Sequence, residues 1–250
     1  GNDSTVNGNY NNLGWKYVAY LFAHNDSGDG EFGPDGDQDI IKCGSYTGNG
    51  SADGPEINLG FEAQWVMLKR TDSTADWVMQ DVMRGMIMDS GGAYIKANEP
   101  QAEFATTGYI QPEPTGFKVR GTGSGQANAS GGNYIYMAIR RGPLAPPTAA
   151  TEVFAPNFYG TSGYVGYLGA PADMSMLGYR SGNSQNAAVR TRMLSNTKGL
   201  VTSSNVVEVT TNSSWDNMLG VSTASSTITT LISWTWKRAP SFFDVVAYTG

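Results

Sequence analysis

Apolar and polar residues alternate with period two along much of the chain, the pattern of a pleated strand with one buried face. Trp15 to Phe22 (WKYVAYLF), Gln64 to Lys69 (QWVMLK), Asp76 to Gln80 (DWVMQ) and Gly116 to Gly121 (GFKVRG) read this way. So do Asn133 to Arg140 (NYIYMAIR), Val206 to Thr210 (VVEVT), Thr227 to Lys237 (TITTLISWTWK) and Phe242 to Tyr248 (FFDVVAY). These runs are rich in the β-branched and aromatic residues that pack well on a pleat. Ser73–Thr74–Ala75 separates two of them as a hairpin loop would. Most other gaps hold the Gly, Asn, Ser and Pro that turns require. Val78 to Met88 (VMQDVMRGMIM) also admits a short helix, weakened by Gly85. Its methionines read as core filler.

The strands form an internal repeat. YIYMAIRRGP (Tyr134–Pro143) aligns without gaps on LISWTWKRAP (Leu231–Pro240), and KYVAYLFAH (Lys16–His24) resembles them as a third copy. CGSYTG (Cys43–Gly48) matches VVAYTG (Val245–Gly250) in its last three residues. EAQWVMLKRTDSTADW (Glu62–Trp77) aligns loosely on PADMSMLGYRSGNSQN (Pro171–Asn186). One unit therefore opens with a strand near YTG and closes with the aromatic strand. This predicts an all-β protein of two tandem β-sandwich units, jelly-roll or concanavalin-like, with extra strands at both ends. Residues 1–38 supply the closing strand of a preceding unit and an acidic loop. Residues 39–143 form the first unit, 144–151 a Pro-rich linker, 152–240 the second unit, and 241–250 the opening strand of a further one. Either the chain is a piece of a longer repetitive protein, or the half-units complete each other. A lone WKYVAYLF edge is an aggregation hazard, so it is expected to pair within the chain or with a neighbouring copy.

Composition narrows the function classes. Of 250 residues, 22 are acidic and 16 basic, a net charge of −6 that argues against a nucleic-acid binder. No long apolar run predicts membrane insertion, and the Asn-rich start does not read as a signal peptide. The single Cys43 forms no internal disulfide, and the single His24 makes no histidine-based zinc site. No GxSxG, HExxH or Walker-type loop occurs.

Three long strings are similar to a known family: DGDQDIIKCGSYTGNGSADGPEINLGFEAQWVMLKRTDSTADWVM (Asp35–Met79), NASGGNYIYMAIRRGP (Asn128–Pro143) and KRAPSFFDVVAYTG (Lys237–Gly250). They resemble a repeated domain in long structural proteins of bacteriophages, especially marine and cyanobacterial ones, described as tail-fibre or LamG-like. The resemblance is strong over 39–143 and 237–250. It weakens over 151–225, where a strand has become APADMSMLGYR (Ala170–Arg180). It implies a virion component, a β-sandwich and no catalytic residues.

Candidate sites are few. Asp29, Asp35, Asp37 and Asp39 lie in an acidic loop that could place oxygens around Ca²⁺ or be solvated. Tyr159, Tyr164, Tyr167 and Tyr179 sit near Gly-rich turns and could stack on sugar rings; Tyr94 and Tyr109 lie in a similar setting, and packing is the competing role. Trp234 and Trp236 share one strand face, as core or subunit interface. Lys69, Arg70, Arg140, Arg141, Lys237 and Arg238 recur at strand ends, which points to structural pairing, for instance with Asp72 or Asp76. Cys43 reads as a small buried apolar residue.

The leading expectation is a non-enzymatic virion protein, a tail fibre or capsid fibre or decoration, with copies of itself and other virion proteins as partners. A lectin-like module, Ca²⁺-dependent and binding a host surface glycan, is the alternative. A polysaccharide depolymerase would need two carboxylates across a cleft, with Glu56, Glu62, Glu99, Glu103 and Glu208 available.

Overall fold

The computed structural model describes residues 13–19, 21, 40–88, 92–104, 108–121, 124–142, 146–158, 164–180, 187–194, 198–211, 213–215, 219–223, 230–239 and 241–246. These residues form strands and two short 3-10 turns and no α-helix, so the fold is all-β.

The first half contributes β1 (Ile41–Thr47), β2 (Glu56–Asn58), β3 (Ala63–Arg70), β4 (Trp77–Asp81), β5 (Ile95–Lys96), β6 (Ile110–Glu113), β7 (Gly116–Val119) and β8 (Asn133–Arg140). They make an antiparallel five-stranded sheet, β1-β8-β3-β4-β5, and a three-stranded sheet, β2-β7-β6. The two sheets bury one apolar cluster between them: Val66, Leu68, Tyr136 and Ala138 from the large sheet against Ile57, Ile110, Phe117 and Val119 from the small one. Phe117 meets Tyr136 edge-on, with centroids 5.3 Å apart. Tyr136 lies flat over Gly44, where any side chain would collide with its ring.

The second half contributes β9 (Phe154–Phe158), β10 (Tyr164–Tyr167), β11 (Met174–Tyr179), β12 (Ala188–Thr191), β13 (Lys198–Val201), β14 (Val209–Thr210), β15 (Ser213–Ser214), β16 (Gly220–Thr223) and β17 (Leu231–Trp236). Its sheets run β9-β17-β11-β12-β13-β14 and β10-β16-β15. Apart from the added β14, this is the strand order of the first half over again. The registers agree as well. Leu68 faces Tyr136 and Val66 faces Ala138; Leu177 faces Ser233 and Ser175 faces Thr235. The two ungapped repeat alignments demand those same pairs.

Several expected elements differ. Val78 to Met88 is the end of β4 followed by one 3-10 turn, Val82–Arg84. Asp81 caps that turn by accepting the Arg84 amide at 2.9 Å, and Gly85 ends it at φ 76°, which a helix cannot continue. Of Val206 to Thr210 only the last two residues are strand, and Val207 is exposed. The described parts of Trp15 to Phe22 and of Phe242 to Tyr248 lie outside every strand. Leu13, Trp15, Val18 and Leu21 are exposed, as are Phe242 and Val246. Their alternation marks a face that wants covering, but it supplies no partner strand.

Candidate functional site

Each half places a carboxylate just before its central strand and an arginine just after its closing strand. In the first half these are Glu62, ahead of β3, and Arg141, after β8; the Arg141 amide bonds to the Glu62 carbonyl at 2.8 Å. In the second half they are Asp173, ahead of β11, and Arg238, after β17. The ion pairs then cross over. Arg141 of the first half pairs with Asp173 of the second. Arg238 of the second half reaches Glu62 of the first at 3.0 Å. Arg192, just after β12, bridges both carboxylates, meeting Asp173 at 2.5 Å and pairing with Glu62.

Glu62, Asp173, Arg141 and Arg192 are all buried. Asp244 adds a third carboxylate, 3.0 Å from Arg238 Nε, so three arginines face three acids. The Arg238 amide also donates to Asp173 at 2.5 Å. Burial by itself would raise the Asp173 carboxyl, but the adjacent Arg141 and Arg192 guanidiniums outweigh it and hold it below the ordinary carboxylate range. Desolvation likewise disfavours the Arg192 cation, and Glu62 and Asp173 reverse that, raising its pKa. A carboxylate held ionised among arginines is a poor proton donor or acceptor near neutral pH. The arrangement is suited to clamping.

An apolar contact lies beside the clamp. Ile87, from the first half, packs with Ala172, Trp215, Val221 and Leu168 of the second. The Met88 amide donates to the Arg192 carbonyl at 3.3 Å.

The large sheets carry a second shared feature on their outward faces. Cys43, Met137, Met67, Met79 and Ile95 sit in register across the first. Pro156, Trp234, Met176, Val189 and Leu200 occupy the same row of the second. All ten are half-buried or exposed. Cys43 is therefore not buried as expected: it points away from the core because the inward positions of β1 belong to Gly44 and Tyr46. Trp234 and Trp236 also point outward rather than into the core, and Trp236 packs against Phe154 and Phe243 of its own chain.

A cleft of about 320 Å³ lies at one end of the second outward face, lined by Val153, Phe154, Trp236, Phe242 and Phe243, with Pro147 and Thr148 at its side. Phe154 and Phe243 flank Trp236, with centroids 5.0 and 6.0 Å away. An adjoining cleft of about 250 Å³ holds Glu152 and Lys237.

Asp29, Asp35, Asp37, Asp39 and Tyr159 lie outside the described residues, as does His24. Among the described residues no three His, Cys, Asp or Glu side chains are grouped to hold a metal. Tyr164 and Tyr167 belong to β10, on the small sheet, with Tyr167 exposed. Tyr179 ends β11 on the large sheet and packs against Leu177 and Leu231. Tyr94 is buried and stacks on Phe104 with centroids 4.8 Å apart.

Of the strand-end bases, Arg70, Arg141 and Arg238 form ion pairs, Arg141 and Arg238 with other partners than Asp72 and Asp76. Arg70 does meet Asp72, at 2.6 Å, while Asp76 is bound by Asn98 and by Lys96 at 2.8 Å, which pull its pKa to about 2. Of the carboxylates considered for a depolymerase, Glu62 is locked in the clamp, Glu56 pairs with Lys118, Glu99 with Lys96 and Glu103 with Arg84. Sequence reasoning missed Asp173 and Arg192. The available signal was the acid preceding each central strand, opposite the repeated basic pair.

No curated protein and no solved structure matches the chain. A family model described as a domain of unknown function, DUF7483, matches residues 2–143, which take in the N-terminal segment and the whole of the first half. That match spans more than half of the 250 residues, and the chain belongs to the DUF7483 family.

Proposed function

We propose that this chain is a structural module of a bacteriophage virion, part of a tail fibre or of a capsid fibre or decoration, presenting a surface towards the host. In this reading it is two tandem β-sandwich units of jelly-roll or concanavalin-like kind, and its work is mechanical. The observation that carries it is the crossed exchange of Arg141 and Arg238 between the halves. Breaking one member of such a buried set costs several kcal/mol, about 3–5, so two repeats become one stiff body. Stiffness serves a spacer or fibre segment, and the Asp173 carboxyl, held below the ordinary range by Arg141 and Arg192, is a poor proton donor or acceptor near neutral pH. The outward apolar rows support association with further copies or other virion proteins. The phage assignment draws its support from the sequence resemblance. Gold-labelled antibody against this chain, applied to purified particles, tests it. Label on fibres supports the assignment, and bare particles with the protein left in the lysate supernatant overturn it.

The aromatic cleft favours a second reading, a lectin-like module. Flat rings beside hydroxyls suit a sugar face. Glycan binding lost in Phe242→Ala supports it; unchanged binding with and without chelator removes both this cleft and the Ca²⁺ loop from the role.

A further inference from the structure

We propose that Tyr17–Leu21 of one copy of this chain pairs, antiparallel, with Phe242–Val246 of a second copy, in the register in which β8 pairs with β1. The proposal rests on reading the halves as copies of one unit and is independent of the virion assignment. In both halves the opening strand lies beside the closing strand: β1 on β8 and β9 on β17. The repeat alignment makes Tyr17 the equivalent of Tyr136 and Ala19 the equivalent of Ala138. It likewise makes Val245 the equivalent of Cys43 and Tyr248 the equivalent of Tyr46. One segment thus has the sequence of a closing strand and the other of an opening strand, and the described residues of each lie outside every strand found among the described residues.

Transferring the register of β1 and β8 sets Val246 opposite Tyr17, Val245 opposite Val18, Asp244 opposite Ala19 and Phe242 opposite Leu21. Five of the residues so paired are exposed and apolar or aromatic: Val18 is 80% exposed, Leu21 92%, Phe242 64%, Val246 57% and Tyr17 45%. Pairing them covers both hazards at once. The opening segment is already anchored for this. Phe243 stacks on Trp236, its carbonyl accepts the Ala239 amide at 2.9 Å, and Asp244 holds Arg238. Because the pairing joins unlike ends, it is heterologous and propagates head to tail. Two strands alone give weak association, so trapping is the appropriate test.

The trap follows from the hydrogen-bond pattern. The Arg140 amide bonds to Ile40 and the Gly48 amide to Gly132, so Cys43 and Met137 form a pair between hydrogen-bonded ones. Such pairs bring Cα atoms to about 4.5 Å, within disulfide reach. The equivalent pair is Val245 and Val18. Val18→Cys with Val245→Cys, in a Cys43→Ser background, is oxidised in the full chain at pH 8.5 and run on a non-reducing gel. The expected result is a ladder of disulfide-linked dimers and longer species that grows with protein concentration and collapses on reduction. Moving one partner by a residue, Val18→Cys with Val246→Cys, turns the thiols to opposite faces while keeping the Asp244 anchor, and is expected to abolish the ladder. Met137→Cys alone, opposite the native Cys43, is expected to close within one chain and so tests the pairing rule by itself. If that control closes while the Val18 and Val245 pair stays unlinked, links only within a monomer, or links no better than the shifted pair, the proposal is overturned and the repeat reading stands. If the control itself fails to close, the pairing rule and the proposal fall together.

Discussion

The two halves share a strand order and a register but not a core. On the inward face of the first large sheet, Val66, Leu68, Tyr136 and Ala138 meet the apolar small sheet. At the equivalent positions the second half has Ser175, Leu177, Ser233 and Thr235, all buried. The Ser175 and Thr235 hydroxyls lie 3.2 Å apart and hydrogen-bond, while Ser233 Oγ finds no partner among the described residues. The small strand β10 approaches so closely that a side chain at Gly166 would strike Thr235. The lesson is that backbone pairing can outlast the apolar contacts that usually accompany it, provided something else holds the unit. Here the junction with the first half offers that support, through the arginine exchange and the Ile87 contact.

The sharpest way to break the comparison is at the junction. Asp173→Ala leaves Arg141 and Arg192 buried without their shared acid, and is expected to cost about 3–5 kcal/mol in denaturant unfolding. If the second half needs that support, its signals melt first; equal loss across both halves contradicts the asymmetry. Next are the paired leucines. Leu68→Ala is expected near the upper end of about 2–5 kcal/mol and Leu177→Ala near the lower end, since Leu177 sits in a small cluster with Leu231 and Tyr179. Equal costs would mean the second core is better packed than its composition implies.

A smaller pair of changes reverses the polarity. Ala138→Ser puts a hydroxyl into the apolar core of the first half and is expected to destabilise by about 1–3 kcal/mol. Ser233→Ala removes an unpartnered hydroxyl and is expected to be neutral or stabilising by up to about 1 kcal/mol. Acid acts on the junction in a defined window. The Asp173 carboxyl is depressed when folded, so its stabilising contribution is complete above its ordinary pKa of about 4 and is lost as pH falls below that. Stability followed by tryptophan fluorescence is therefore expected to lose nothing from this group between pH 7 and 5. Least affected is the ion pair of half-buried Arg70 with exposed Asp72, where Asp72→Ala is expected to leave the unfolding midpoint nearly unchanged.

How much of this was legible beforehand follows the same divide. Asn133–Arg140 was readable to the residue, because an unbroken run of aromatic, β-branched and other apolar residues supplies both its faces, with Tyr134, Tyr136 and Ala138 buried. β11 was obscured, because Ser175 on its inward face and Gly178 on its outward face erase the period-two signal. It was recoverable only through the loose alignment on Glu62–Trp77, in which Leu177 stands opposite Ser233 as Leu68 stands opposite Tyr136. Trp15–Phe22 shows the opposite failure: strong alternation, yet no strand among its described residues, since the pattern says what must be covered and not by what. The clamp was half legible. Repetition of Arg141 and Arg238 pointed to structure, but their partners lie 32 and 176 residues away in sequence, where local reading has no reach.

Differential scanning calorimetry of the full chain beside its Asp173→Ala variant tests the central claim, that the arginine exchange makes two repeats one cooperative body. The account predicts a single transition for the native chain and two for the variant, with the second half unfolding at the lower temperature. Two transitions already present in the native chain, or one undivided transition in the variant, would contradict it.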